Sequence, residues 1–182
     1  MKEITIAVVG ATGAVGQEIL KVIEERKIPY KELKMLASAR SAGTTIDFMG
    51  RTYTVEETTE DSFDGVDVAL FAGGPASRAF GRLAQAKGTV VIDNSSTFRL
   101  EPDVPLVVPE VNPQALKEHK GLIANPNCST ILMVSALYPI YKKSKIKRVI
   151  ISTYQAVSGA GKEAIDELSL QSKQYLAGEE IK

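Results

Sequence analysis

Apolar and β-branched residues run almost without interruption over residues 4–9 (ITIAVV). A run with no alternating polar positions fits a central parallel strand buried on both faces. A glycine turn follows, and over 18–26 the side chains of Ile19, Leu20, Val22 and Ile23 repeat at helical spacing. A second short strand is predicted over 33–37. The stretch TTIDFMGRTYTVEE alternates apolar and polar positions about Gly50-Arg51, which predicts a hairpin. A strand over 66–71, a helix over 76–86 and a strand over 89–92 continue the alternation. Strands alternating with helices imply an α/β fold with an open, mostly parallel sheet and right-handed crossovers.

The pattern then changes. Prolines at 102, 105, 109 and 113 exclude regular helix from most of residues 101–113. A short helix over 114–119 and a strand over 122–124 follow. Helical periodicity resumes over 129–141, a β-branched run predicts a strand over 149–154, and 162–176 reads as an amphipathic helix. There is no internal repeat and no low-complexity segment.

Composition narrows the function classes. Twenty-two basic and twenty-two acidic residues cancel to a formal net charge of zero. Neither nucleic acid nor an anionic membrane is then a default partner. The hydrophobic 44% is distributed, with no run long enough to span a bilayer and no signal-peptide pattern at the start. The one cysteine makes neither an internal disulfide nor a cysteine cluster for zinc, so no metal site is expected. A reducing cytoplasm is the expected compartment. The length suits one domain, or one domain plus part of another.

Candidate chemistry begins at the first turn, where Gly10, Gly13 and Gly16 lie in GATGAVG between the first strand and the first helix. Glycines let backbone approach a pyrophosphate, and the helix N-terminus offers free N–H groups and partial positive charge. A tight strand-to-helix turn without ligand carries the same glycines. After the second strand, Ser38-Ala39-Arg40-Ser41 holds no carboxylate for ribose hydroxyls. Arg40 and the hydroxyls of Ser38 and Ser41 suit the extra phosphate of NADP instead; a solvated arginine in a turn is the plainer reading. A second glycine turn, Gly73-Gly74, follows another buried strand and would pass near the cofactor at the switch point of a doubly wound sheet.

Cys128 sits in NPNCSTI, where a predicted strand gives way to a predicted helix. A thiol there meets the positive end of the helix dipole and unpaired N–H groups, which favour the thiolate and can stabilise an oxyanion on an attacked carbonyl. A buried inert cysteine is the competing reading, and the polar NPN flank argues against it.

GATGAVG, ASARSAG (37–43), DNSSTFR (93–99), VPLVVPEVN (104–112), NPNCSTI and STYQAVSGAG (152–161) occur in order over essentially the whole chain. Together they resemble the bacterial aspartate-β-semialdehyde dehydrogenase family. The resemblance implies a Rossmann-like, doubly wound NADP-binding domain over 1–127, then the beginning of an α+β catalytic and dimerisation domain over 128–182. It implies an oxidoreductase that reduces L-aspartyl 4-phosphate to the semialdehyde through a thioester, on the route to lysine (through diaminopimelate), methionine and threonine, as a homodimer or tetramer. Cys128 would be the acyl-accepting nucleophile, Gln155 would orient the acyl group, Arg99 would hold phosphate, and Asn127 would line the same pocket. Thr12, Gly13, Ala14, Val15, Arg40, Ser41, Ser158 and Gly159 would contact NADP. The chain departs from the family at Leu132, where many relatives have glutamine, and at Asn125, where some branches have cysteine.

A thioester mechanism also needs a general acid/base. The single histidine, His119, lies in the charged segment KEHKG and is not expected to serve. In the resembling family that histidine falls well beyond position 182, so the chain is expected to be an N-terminal half with little or no turnover alone. Two other readings are an N-acetyl-glutamyl-phosphate reductase and a non-catalytic NADP-binding module. Retention of Cys128, Gln155 and Arg99 together counts against the module.

Overall fold

The first apolar run becomes β1 (Thr5–Val9), with all five residues buried. Side chains alternate across a strand, so Ala7 and Val9 enter one core cluster while Ile6 and Val8 enter another on the opposite face. β1 pairs in parallel with β2 (Glu32–Ala37) on one side and β6 (Val68–Phe71) on the other. The computed structural model, which describes residues 4–181, completes a six-stranded parallel sheet with β7 (Val90–Asp93), β8 (Leu122–Ala124) and the two-residue β5 (Glu56–Glu57). The strand order is β5-β2-β1-β6-β7-β8. The chain thus moves one way from β1 and then returns to add strands on the other side, which is a doubly wound, Rossmann-like sheet.

Helix α1 (Ala14–Glu25) buries Gly16, Leu20 and Ile23 against one face. The hairpin of β3 (Thr45–Phe48) and β4 (Arg51–Thr54) adds Phe48 to the same cluster. Its turn is Met49-Gly50, one residue earlier than the pattern suggests. Both residues have positive φ, 50° and 75°, as the two-residue turn matching strand twist requires. Helix α2 (Gly74–Ala86) covers the other face, where Phe63, Phe71, Ala84 and Phe98 pack together.

Contacts divide the chain after Arg148. The last helix of the first unit, α3 (Cys128–Lys143), continues through Pro139 and has no buried residue among those described. The second unit, from Val149, holds a 3-10 turn (Val157–Ala160) and α4 (Lys162–Ala177), which ends at Gly178 in the left-handed conformation. The strand expected over 149–154 is absent: these residues have no regular structure. A strand exists only where a neighbouring ladder satisfies its N–H and C=O groups, and no described strand pairs with this segment. Ile150 is 86% exposed and Tyr154 98%. No helix among the described residues is long and apolar enough to cross a membrane.

Candidate active site

Parallel strands aim their C-terminal ends at one edge, and ligands of such sheets bind there, where the strand order reverses. Here the reversal lies between β1 and β6. Gly10, directly after β1, has φ +85°, and its N–H donates to the Leu36 carbonyl at 2.8 Å. A Cβ on Gly10 would meet Ala72 Cβ at 3.4 Å and Gly73 N at 4.0 Å, so the two glycine turns lie side by side. A Cβ on Gly16 would stand 2.1 Å from the Gly10 carbonyl oxygen and 2.8 Å from Ala11 Cα, so α1 seats directly on the turn. Gly13 is the N-cap of α1, with no side-chain cap. Thr12, Ala14 and Val15 are exposed around that helix end. Gly73 begins α2 in the same uncapped way.

At the end of β2 the chain turns through Ser38, Arg40 and Ser41, with the Ser41 N–H donating to the Ser38 carbonyl at 2.8 Å. Ser38 and Arg40 are exposed, and Arg40 has no ion-pair partner among the described residues.

At the end of β7 sits a fully buried carboxylate, Asp93. It accepts from Ser77 Oγ on α2 at 2.5 Å, from Ser95 N at 3.1 Å and from Ser95 Oγ at 2.7 Å. The loop that follows carries Arg99, half-buried, whose Nε donates to the Asn125 carbonyl at 2.9 Å and whose Nη2 donates to the Asn94 carbonyl at 3.0 Å. Phe98 anchors this loop: its ring lies where a Cβ on Gly81 would stand, 2.6 Å from Cε2. Arg82 stacks on Phe98 at 5.5 Å and grips Asp103 with two hydrogen bonds of 2.8 and 2.9 Å. Those bonds hold the Asp103 carboxyl below its usual range.

Cys128 is exposed and is the first residue of α3, on the same edge of the sheet as the glycine turns. Asn127 is the N-cap, its Oδ1 accepting from Ser129 N and Thr130 N at 3.0 and 3.3 Å. Two of the N–H groups that the sequence offered to an oxyanion are therefore engaged by Asn127. Arg99 is linked to this helix start through the Asn125 carbonyl, which precedes Asn127 and Cys128 in the chain. His119 does not join them: it precedes β8 at the opposite edge, where its Nδ1 accepts from Gly121 N at 3.0 Å.

Gln155, Ser158 and Gly159 belong to the second unit. There the Gln155 amide folds over Gly159 so closely that a Cβ on Gly159 would overlap it. All three are exposed. Asp93, Ser77, Asn94 and Asn125 escaped the residue-by-residue reading. Asp93 and Asn125 were signalled by their places directly at strand ends, and Asp93, Asn94 and Asn125 by lying within DNSSTFR and NPNCSTI, but no role was read for them.

A parallel sheet with two glycine turns at its switch point defines a dinucleotide-binding fold, here with a cysteine opening a helix on the same edge. Residues 5–119 match the semialdehyde dehydrogenase NAD binding domain and residues 137–182 the semialdehyde dehydrogenase dimerisation domain. The chain belongs to the semialdehyde dehydrogenase family. More narrowly, it is 56% identical over 180 residues to aspartate-semialdehyde dehydrogenase of Aquifex aeolicus, covering 97% of this chain and 53% of that protein. The crystal structure of aspartate semialdehyde dehydrogenase II from Vibrio cholerae complexed with ASA superposes with a TM-score of 0.92 at 47% identity, covering 100% of this chain and 55% of that one. Aspartate semialdehyde dehydrogenase with NADP from Candida albicans matches at 25% identity and a TM-score of 0.62, over 80% of this chain and 48% of that one. The chain thus spans about half the length of the curated relatives it matches.

Proposed function

We propose that this chain carries the dinucleotide-binding and acyl-accepting part of an NADP-dependent aspartate-semialdehyde dehydrogenase. The reaction converts L-aspartyl 4-phosphate and NADPH to L-aspartate 4-semialdehyde, NADP and phosphate, and runs in reverse. The observation that carries the reading is Cys128 at the first position of α3, tied through Asn125 to Arg99. The residues fit a dinucleotide: backbone closes on the turn where a Cβ at Gly16 would collide, and α1 begins without a side-chain cap. Gly10, Thr12, Gly13, Ala14 and Val15 would hold its pyrophosphate, and Ser158 and Gly159 would add further contacts. Arg40, with Ser38 and Ser41, would hold the 2′-phosphate that separates NADP from NAD. A nicotinamide bound there supplies hydride.

The Cys128 thiolate attacks the acyl carbon, the bond from that carbon to the phosphate oxygen breaks, and the oxygen leaves with its electron pair. The acyl group stays on Sγ as a thioester. Arg99 spends Nε and Nη2 on backbone carbonyls, which leaves Nη1 to receive phosphate oxygens. Asn127 spends Oδ1 on the helix cap, which leaves Nδ2 as a donor to substrate. Gln155 orients the acyl group. The dinucleotide domain ends at 127 and residues 128–182 open the catalytic and dimerisation domain, which functions in a homodimer or tetramer. His119 is held at the far edge, which supports little turnover by these 182 residues alone. The setting is the cytoplasm, in the synthesis of lysine, methionine and threonine.

Titration with NADPH and NADH, read by nicotinamide fluorescence, tests the cofactor side. NADPH should bind more tightly, and Arg40→Ala should narrow the gap. Iodoacetamide tests the nucleophile: Cys128 should react several-fold faster in the folded chain than in the same chain unfolded in urea. Equal rates and equal affinities would refute the proposal.

A further inference from the structure

Helix α3 opens with the reactive residue, yet none of its own residues is buried among those described. Within the first unit its first turn is only partly covered, Ser129 and Ile131 being half-buried. Asn127 and Cys128 are both exposed, and the last buried residue before them is Pro126. What holds this start of helix is polar and lies one residue earlier, at Asn125.

Asn125 is held through its N–H, its carbonyl and its side-chain amide nitrogen. Its N–H donates to the Asp93 carbonyl at 2.8 Å. Its carbonyl accepts from Arg99 Nε at 2.9 Å. Its side-chain Nδ2 donates to Asn94 Oδ1 at 2.5 Å, joining residues 31 apart in sequence. Asn94 is itself fixed: its N–H donates to the Phe71 carbonyl at 3.0 Å and its own carbonyl accepts from Arg99 Nη2 at 3.0 Å. Behind it, the buried Asp93 carboxylate joins the loop to α2 through Ser77. Two strand ends, β7 and β8, are thus laced together beside Arg99.

Little freedom remains between this lacing and the thiol. Proline fixes the φ of residue 126 near −65° and restricts the ψ of Asn125 before it. Asn127 is committed to capping Ser129 and Thr130. The direction of the first helical turn is therefore set largely by how Asn125 is held.

We propose that Asn94 and Asn125 are positioning residues for the nucleophile, their amide-to-amide bridge setting where α3 begins and where Cys128 Sγ points. The same bridge keeps Arg99 between the two carbonyls it bonds, so the anion-binding guanidinium and the thiol keep one spacing. The inference rests on the nucleophile reading of Cys128 and extends it to two residues that do not touch substrate.

The test uses the single thiol of the 182-residue chain. The rate of iodoacetamide alkylation is measured at neutral pH for wild type, Asn94→Ala, Asn125→Ala and the double variant. Each folded rate is divided by the same variant's rate in urea, and thermal unfolding checks each fold. Each single substitution should lower the ratio at least about threefold, and the double variant should lose no more than either single, because one interaction is removed in all three. If Asn125→Ala does not fold, Asn94→Ser carries the test alone, since it leaves Asn125 in place and removes only the reach of the acceptor. A wild-type ratio well above one that the singles leave unchanged, or losses that add in the double variant, would overturn the bridge alone. A wild-type ratio near one would overturn the nucleophile reading and the bridge with it.

Discussion

At Gly16 one missing methyl group decides whether strand, turn and helix can meet. Its added Cβ would strike backbone atoms, at 2.1 and 2.8 Å, which cannot swing aside as a side chain can. Gly13, three residues earlier, has φ −83° and would place a Cβ at an ordinary 3.4 Å. The two glycines of one motif should therefore behave differently. Gly16→Ala should cost about 1–3 kcal/mol, the range for overpacking, and weaken NADPH binding. Gly13→Ala should leave the melting temperature nearly unchanged. Calorimetry on the pair with matched fluorescence titrations checks this, and equal effects at both positions would refute it. Asn127 makes a related point, because one side chain both caps a helix and is proposed to meet substrate. Its removal would disturb both.

Among the elements, the loop from β7 to β8 is where position is won from irregular backbone. Phe98 seats it against Gly81, and Arg82 ties it at Asp103. The hydrogen bond from Arg82 holds the Asp103 carboxyl below its ordinary value of 3.8. With the folded value below the unfolded one, the pair's contribution is full above about 3.8 and fades as pH falls through the lower folded value. Wild type should therefore melt above Asp103→Asn at pH 7, and the difference should shrink in strongly acid solution. A gap that persists at pH 2 would show that the pairing is not its source. Much at this scale was legible in the chain: β1 from its unbroken apolar run, the glycine turn, the hairpin, and a cysteine at the start of a helix. The misread strand at 149–154 shows the limit, since β-branched residues state a preference and only a neighbouring ladder makes a strand. The Asp93–Ser77 and Asn94–Asn125 contacts were hidden for a different reason. Their partners lie 16 and 31 residues apart, and neither the period of the pattern nor a short motif encodes such a meeting.

For the molecule as a whole, both core clusters and the entire six-stranded sheet fall before Arg148, while the residues that follow are nearly all exposed. Chymotrypsin should cut first within 149–156, at Tyr154, leaving a product that keeps the melting transition of the intact chain. A first cut in the β3–β4 hairpin, or loss of the transition, would contradict this, and intact mass with calorimetry distinguishes the outcomes. The strand order has a further consequence, during synthesis. β1 is made first, yet one of its two neighbours, β6, follows 62 residues later, as the Thr5–Asp67 contact at the start of that pairing records. At about 5–20 residues per second, the ribosome leaves that side of β1 open for roughly 3–12 s. Nascent-chain chaperones would find a five-residue apolar stretch waiting, and a pause in translation before residue 68 would lengthen its exposure.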